Sequence, residues 1–391
     1  MSSVLLYEIE PLFPRGPGEI DPGVRGPHAH GIPMSLPYPT SILGVLATTL
    51  YNLGCVDTGK VQVASSVEGW YKDLEKLFGL SIGKSVRGSY VFISNGDNTI
   101  LLSSSNGWVM LDALYEYLPK LGSLWIKGEY FSEEYFDLKR KLTTVQWSDI
   151  FHERVSISLE YGKKTVREHY FTTIRFLDYR KLVDHIDSLK VEKASVRVAL
   201  GIDVYVDLAH LQCSIMDRRI PVRALGRGRV GILGLSKDTI LEKAVRKHYD
   251  NIAKSQSIAS WGKVLGDSSL ALYVASPLLL RLNKVEKVIE STVVYPGKTE
   301  IENYLKEEIE KACNGRVKEM LVDGTVSVVG LGYSLRFHER KPLYNAVMPG
   351  SIIYVKVEKC ESKPRDLYIR GLGVLSHLGF GTIIPVPLQY T

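Results

Sequence analysis

The stretch RGLGVLSHLGFGTIIPVPL, residues 370–388, decides the fold, because it has two incompatible readings. Gly371-x-Gly373-x-x-Ser376 matches two of the three glycines of a dinucleotide-binding fingerprint. That fingerprint opens a fold that still needs a second strand and an acidic residue about twenty positions further on. Only ten residues follow Gly381, so no chain is left to build it. The second reading is a helix, a glycine turn and a last strand. Leu367, Gly371, Val374 and Leu378 recur at helical spacing and predict a helix over residues 366–378 that stops at Gly379. In this reading Gly371 lets the helix pack closely, and Gly379 and Gly381 make the turn. Residues 382–388 are then a strand, put on an edge or at a bulge by Pro385 and Pro387.

Upstream, the same alternation continues. SLALYVAS, residues 269–276, is an apolar strand stopped by Pro277. Residues 299–313 form a helix, with Thr299 as cap, acids in the first turns and Asn314-Gly315 as the stop. Ile301, Leu305, Ile309 and Ala312 make its buried stripe. Residues 324–330 and 351–356 read as two strands. The order β-α-β-β-α-β is that of ferredoxin-like folds and of the RNA-recognition motif. The first part follows it loosely: strand 4–9, helix 40–53, strands 155–159 and 170–175, short helix 208–215 and strand 229–233, with residues 56–150 as a large insertion. The expected fold class is α+β, with two ferredoxin-like (RRM-like) β-α-β-β-α-β modules over residues 1–265 and 266–391, the first carrying large insertions.

With 391 residues, 45% hydrophobic and 24% charged, the chain can bury one or two sizeable cores. A net charge of +6 admits a polyanionic partner without requiring one. Cys55, Cys213, Cys313 and Cys360 lack the tight spacing of zinc sites and disulfide frameworks and are expected as four separate reduced thiols. The N-terminal MSSVLLYEIEPLF has no basic n-region and carries Glu8 and Glu10, so it reads as a strand and not a signal peptide. The apolar stretch 270–280 is too short for a bilayer span. A cytoplasmic protein without membrane association, cofactor or metal is expected.

GLSIGKS, residues 79–85, imitates a phosphate loop, but only three residues separate its glycines, and a helical pattern (67–77) precedes it where a strand is needed. It is a turn before a strand at 89–93. Residues 217–233, DRRIPVRALGRGRVGIL, gather Arg218, Arg219, Arg223, Arg227 and Arg229 among glycines, with Asp217 the only carboxylate. Arginine forks match phosphate oxygens bidentately, so this loop is a candidate polyanion site. Residues 151–177 read as a long hairpin about Tyr161-Gly162, interleaving Arg154, Lys163, Lys164, Arg167 and His169 with Phe151, Tyr161, Tyr170 and Phe171. Cations with aromatics suit single-stranded RNA, and a half-buried hairpin with core-facing aromatics has the same composition. The Pro- and Gly-rich segment 14–39, with Arg15, Arg25, His28 and His30, is either a stiff cover or a binding loop. No paired carboxylates, GxSxG motif or metal-ligand spacing appears. His28 is a chemically possible base for metal-free RNA cleavage.

Four stretches together resemble the repeat-associated (RAMP) superfamily of CRISPR proteins, and within it the third-subunit family of Cmr (type III-B) effector complexes. LPYPTSILGVL (36–46) is similar to the family's entry into its first helix, and RALGRGRVGIL (223–233) to its glycine-arginine loop. GYSLRFHERKPLYNAVMPGSIIYVKV (332–357) is the most specific match, and GLGVLSHLGFGTIIPV (371–386) resembles the terminal glycine-rich loop. The matches run from residue 36 to the end. In one departure, Gly226-Arg227-Gly228-Arg229 stands where the family has an acidic GGER. The resemblance implies a non-catalytic RNA-binding subunit acting in antiviral defence. It would cap the 5′ end of the guide crRNA, bind its repeat-derived tag, and contact the large polymerase-like subunit and the backbone-forming subunit. Beside the two basic segments, the terminal loop is then a candidate RNA contact: Arg370 supplies charge, Gly371, Gly373, Gly379 and Gly381 allow close backbone approach, and His377 serves as a cap or contact. The rival readings are a Cas6-like metal-independent endoribonuclease, with His28 or His30 as base, and the equivalent scaffold subunit of a Csm or type I complex.

Overall fold

The computed structural model describes residues 1–12, 34–56, 65–66, 69–94, 98–105, 107–159, 166–186, 196–206, 218–224, 229–256, 258–281, 296–334 and 338–388. The first part contains β1 (Ser2–Glu8), α1 (Pro39–Asn52), α2 (Lys72–Phe78), β2 (Val86–Ser94), β3 (Thr99–Ser103) and β4 (Gly107–Met110). It continues through α3 (Leu111–Ile126), α4 (Glu133–Leu142), β5 (Val145–Gln146), β6 (Phe151–Leu159) and β7 (Val166–Leu177) to β8 (Arg197–Val204), β9 (Ile220–Ala224), β10 (Arg229–Ser236) and α5 (Ile240–Gln256). Then come β11 (Gly266–Val274), β12 (Leu278–Leu279), α6 (Lys298–Cys313), β13 (Arg316–Asp323), β14 (Val326–Gly330), β15 (Tyr333–Ser334), β16 (Glu339–Arg340) and β17 (Leu343–Val347). The chain closes with β18 (Ile352–Cys360), α7 (Pro364–Arg370) and β19 (Ile383–Leu388).

An antiparallel eight-stranded sheet has the order β5-β4-β3-β2-β8-β1-β10-β9, and an antiparallel four-stranded sheet the order β13-β18-β11-β19. Their strands are apolar on both faces because both faces are covered. Val4, Leu6, Val91, Leu200 and Ile202 face a core under α1, α2 and the small sheet β12-β17-β14. The opposite residues Leu5, Tyr90, Phe92 and Ala199 share a second core with Ala271, Tyr273, Tyr354, Ile384 and Val386 of the other sheet. Helices α3 and α5 fill that middle layer, so closely that a Cβ on Gly122 would lie 2.3 Å from the Leu388 side chain. The far face of the four-stranded sheet packs on α6 through Ile301, Leu305, Ile309 and Ala312. Two carboxyl groups of the first sheet stand out, Asp203 buried and Glu8 half-buried. Asp203 accepts from Ser3 Oγ at 2.5 Å, Tyr90 Oη at 2.9 Å and the Glu242 N–H at 2.9 Å, and burial pushes it up to about 6. Glu8, whose Oε2 accepts the Arg180 N–H at 3.2 Å, is pushed up to about 8 by burial and then by Asp178.

Helix α6 has the expected stripe and stop, with Asn314 in the left-handed region, but Gly297 and not Thr299 occupies its N-cap. Strand β19 lies at a sheet edge as expected, where Pro385 and Pro387, two residues apart, turn their missing N–H groups away from β11. Several expectations are corrected. Strands β6 and β7 form a separate two-stranded ribbon, which Leu177 ties to Leu12 by a single antiparallel bridge, and the partners of β1 are β8 and β10. Strand β2 is central in the sheet, yet it falls within the residues read as an insertion. Strand 324–330 pairs with β17 in the small sheet, while β13, which the sequence reading passed over, occupies the place beside β18. Alternation identifies a strand but not its partner, because pairing is set by contacts distant in sequence. Cys55 is disulfide-bonded, against the expectation of four free thiols, because spacing along the chain says nothing about cysteines that folding brings together. The predicted helix 208–215 and Cys213 lie outside the described residues.

The helix expected over 366–378 ends at Arg370, and its arrest has a specific cause. Arg87 on β2 is fully buried and directs its guanidinium at main-chain carbonyls: Nε to Tyr368 O at 2.6 Å, Nη2 to Ile369 O, and Nη1 to Ser376 O at 2.6 Å and Val86 O. In a continuing helix the carbonyls of Tyr368 and Ile369 would receive the N–H groups of Leu372 and Gly373. Arg87 takes them instead, and the Leu372 N–H turns to Gly381 O at 3.0 Å. Burial lowers the guanidinium to about 10, which leaves it charged at neutral pH.

Replacing Arg87 by Met strands several buried carbonyls at about 1–3 kcal/mol each, so Arg87→Met is expected to lose about 3 kcal/mol or more in a urea titration. Arg87→Lys should not restore it, since one ammonium cannot span acceptors arranged for a planar fork. Glu8 gives a pH signature. An acid whose folded-state value (about 8) exceeds its ordinary 4.5 is protonated first in the folded chain, so its contribution is present below 4.5 and lost as pH rises through 8. Glu8→Gln should therefore melt higher than the parent above pH 8, with the gap closing below pH 4.5. A gap independent of pH would mean that another group titrates.

Candidate nucleic-acid interface

Strand β9 is the outer edge of the eight-stranded sheet, which leaves one row of its backbone groups without a strand partner, while Ile220 and Val222 pack on the core. Arg218 and Arg219, just before it, and Arg223 on it are exposed. The Arg219 guanidinium stands 5.7 Å from the centre of the Tyr7 ring. Arg229 has a different setting. It lies 4.3 Å over the Phe176 ring and 3.8 Å from Glu10, with Nε buried and unpartnered, and so ties β10 to the root of the ribbon. Arg154, Arg167 and His169 belong to the ribbon strands β6 and β7. Lys163, Lys164, Arg227, His28 and His30 lie outside the described residues.

In the terminal loop the glycines serve this chain's own packing. All four have positive φ. A Cβ on Gly371 would meet Gly381 O at 2.8 Å and the Arg87 guanidinium at 3.2 Å, and one on Gly381 would meet Leu372 O at 1.8 Å. On Gly379 it would meet Pro39 at 2.5 Å, and on Gly373 Leu279 O at 2.4 Å. The close approach that glycine permits is thus used by protein backbone, with Gly371 ending α7 rather than packing within a helix. Arg370 Nη1 donates to Lys311 O at 2.9 Å, capping the C-terminus of α6. His377 Nε2 lies 2.5 Å from Glu75 Oε1, which fastens the loop to α2.

Folding gathers a cation–aromatic cluster around this loop that the sequence reading missed. Tyr71, at the start of α2, meets the His377 ring edge-on at 6.5 Å and Trp70 at 6.1 Å. Lys341 Nζ sits 4.0 Å over the Trp70 ring, and burial lowers its ammonium from the ordinary value. Tyr344 of β17 lies within the electrostatic reach of both Tyr71 and Arg281. Beside the cluster, between α6 and the loop, opens a cleft of 440 Å³. Exposed Arg281 and Lys311 line it with the half-buried Tyr304, Gly373 and Val374, facing Glu300, Glu307 and Glu308. These residues come from segments hundreds of positions apart, and no short motif announces them. The aromatic–basic run Lys341–Tyr344 is the one local signal. The arrangement offers the partly exposed rings of Tyr71 and Tyr344 and the single Arg281 guanidinium, with Trp70 buried beneath Lys341. Among the described residues no group of His, Cys, Asp and Glu could hold a metal ion, and no helix is long and apolar enough to cross a membrane.

Comparison with known proteins follows the same direction. A family model described as CRISPR-associated protein (Cas_Cmr3) matches residues 116–388. A curated CRISPR system CMR subunit Cmr3 from Saccharolobus solfataricus is 28% identical over 188 residues, 48% of this chain and 54% of that protein, so the chain spans about half the length of this relative. Among solved structures, a chain of the type III-B Cmr-beta complex bound to cognate target RNA is 21% identical, with a TM-score of 0.49, over 90% of this chain and 86% of that one. A chain of the Csm3-Csm4 subcomplex of the type III-A complex is 14% identical with a TM-score of 0.33, over the whole of both chains. The family match covers most of the chain, through the small sheet, α7 and the glycine-rich loop: the protein belongs to the Cmr3 family of RAMP-type CRISPR-associated proteins.

Proposed function

We propose that this chain is a non-catalytic RNA-binding subunit of a type III-B CRISPR effector complex, which holds the 5′ tag of the guide crRNA and contacts the large polymerase-like and backbone-forming subunits. The observation that carries this reading is the cluster at the glycine-rich loop, where Lys341 lies over the buried Trp70 and the partly exposed rings of Tyr71 and Tyr344 stand near the exposed Arg281: aromatic rings and cations together suit splayed bases and a phosphate backbone. The exposed arginines of the β9 edge extend the cationic surface, and Arg154, Arg167 and His169 on the strands of the β6-β7 ribbon are further candidates. Family membership supports the assignment to a Cmr complex.

On this reading each large sheet belongs to one ferredoxin-like module. The orders β10-β1-β8-β2 and β19-β11-β18-β13 support it, since each places the first strand between the third and the last. The proposed modules, residues 1–265 and 266–391, meet across the middle helical layer. The terminal-loop glycines then act indirectly, by fixing the backbone that carries Val374 and His377. Arg370 and Arg229, committed to α6 and Phe176, hold the frame from which the freer Arg218, Arg219, Arg223 and Arg281 reach RNA.

The test is retention of labelled crRNA-tag RNA by the purified full-length chain, with and without EDTA. Arg218→Glu/Arg219→Glu/Arg223→Glu should weaken binding at least tenfold, and each lost phosphate contact should reduce the log–log salt slope by about 0.7. Tyr344→Ala should cost about 1–3 kcal/mol if a base stacks there. Unchanged affinity in both variants would remove the site. RNA cleavage that persists in EDTA and disappears in His28→Ala would replace the reading with an endoribonuclease.

A further inference from the structure

Cys313 and Cys360 are the last residues of α6 and β18, and they meet at one corner of the four-stranded sheet. Both are free and buried in the same apolar cluster, and the Cys360 Sγ donates to Ser362 O at 3.8 Å. The backbone holds the two residues together: the N–H groups of Glu361 and Ser362 donate to Cys313 O at 2.9 and 3.3 Å. On the next turn a Cβ on Gly315 would lie 3.0 Å from the Cys360 Cα. The corner is shallow, because Asn314 and Glu361, each the following residue, are exposed and hydrogen-bonded to each other. Cys55 of the same chain is already disulfide-bonded, so the protein tolerates oxidised cysteine.

We propose that Cys313 and Cys360 form a second, inducible disulfide site, closed by peroxide-class oxidants. Cys360 is the attacking sulfur: the neighbouring Cys360 and burial push the Cys313 thiol up and hold it protonated, while the neighbouring Cys313 lowers the Cys360 thiol. In the first step the Cys360 thiolate attacks one peroxide oxygen, the O–O bond breaks, and a sulfenic acid and, after proton uptake, water result. In the second, the Cys313 sulfur attacks the Cys360 sulfur, the S–O bond breaks, and the hydroxide leaves with the Cys313 proton as a second water. The two thiols lose two electrons and the peroxide gains them. The bond closes the segment from Cys313 to Cys360 and staples the helix end that Arg370 caps to the strand end beside it.

Treatment of the full-length chain with hydrogen peroxide, unfolding in alkylating agent and peptide mapping test this. The expected result is a Cys313–Cys360 cross-linked peptide, a mass loss of about two units and a melting temperature raised by about 5 °C, reversed by dithiothreitol. Cys313→Ala and Cys360→Ala should each abolish the rise, while circular dichroism reports whether they fold. Recovery of both cysteines as alkylated thiols, or as separately over-oxidised acids, from folded parent protein would overturn the proposal. Neither outcome bears on RNA binding, which is read in a separate assay.

Discussion

A buried guanidinium that bonds carbonyls constrains more of this molecule than any other single contact. Removing a charge from water is costly unless it is paired or well hydrogen-bonded. Arg87 meets that demand with carbonyls at the end of α7, in the loop beyond it and on its own strand. A helix C-terminus is the natural acceptor, because its last carbonyls are unpaired and carry the negative end of the helix dipole. The result is a reciprocal dependence. The arginine can be buried only because the helix stops, and the helix stops because the arginine occupies its carbonyls. Gly371 follows from the same geometry, since a side chain there would collide with the guanidinium.

This contact also determines what the glycine-rich loop can do. Its turns are folded against β2, α1 and β12, so its glycines meet protein atoms first. Any ligand at the loop therefore meets side chains brought to it: Tyr71 and Trp70 from the entry to α2, Lys341 and Tyr344 from the small sheet, Arg281 from the segment after β12. The His377–Glu75 pair fixes the same junction from the other side. A loop held so tightly is a platform, and recognition on a platform depends on where stacking faces and cations are fixed, not on backbone flexibility.

The sequence disclosed elements whose signals are local. Helix α6 was legible because its stripe and its left-handed Asn314 lie within a few turns of one another, and β19 because prolines restrict an edge strand. It did not disclose β2 as a central strand, since VRGSYVFIS looks alike in an insertion and in a sheet until its partners are known. Nor did it disclose Arg87, one arginine among many, whose burial depends on a helix nearly three hundred residues away. The cluster at the loop was hidden for the same reason. The basic run of residues 217–233 was legible as charge, but not its division into exposed arginines on β9 and an Arg229 occupied by Phe176 and Glu10.

The two halves share more than a boundary. Strands β11, β18 and β19 contribute Ala271, Tyr273, Ile352, Tyr354, Ile384 and Val386 to the core that also holds Leu5, Tyr90 and Phe92. A cut after residue 265 would leave that core open on both sides and would strand Arg87 without its carbonyls. Element order divides the chain in two, but burial does not. The middle layer and the Arg87 contact tie the two sheets together.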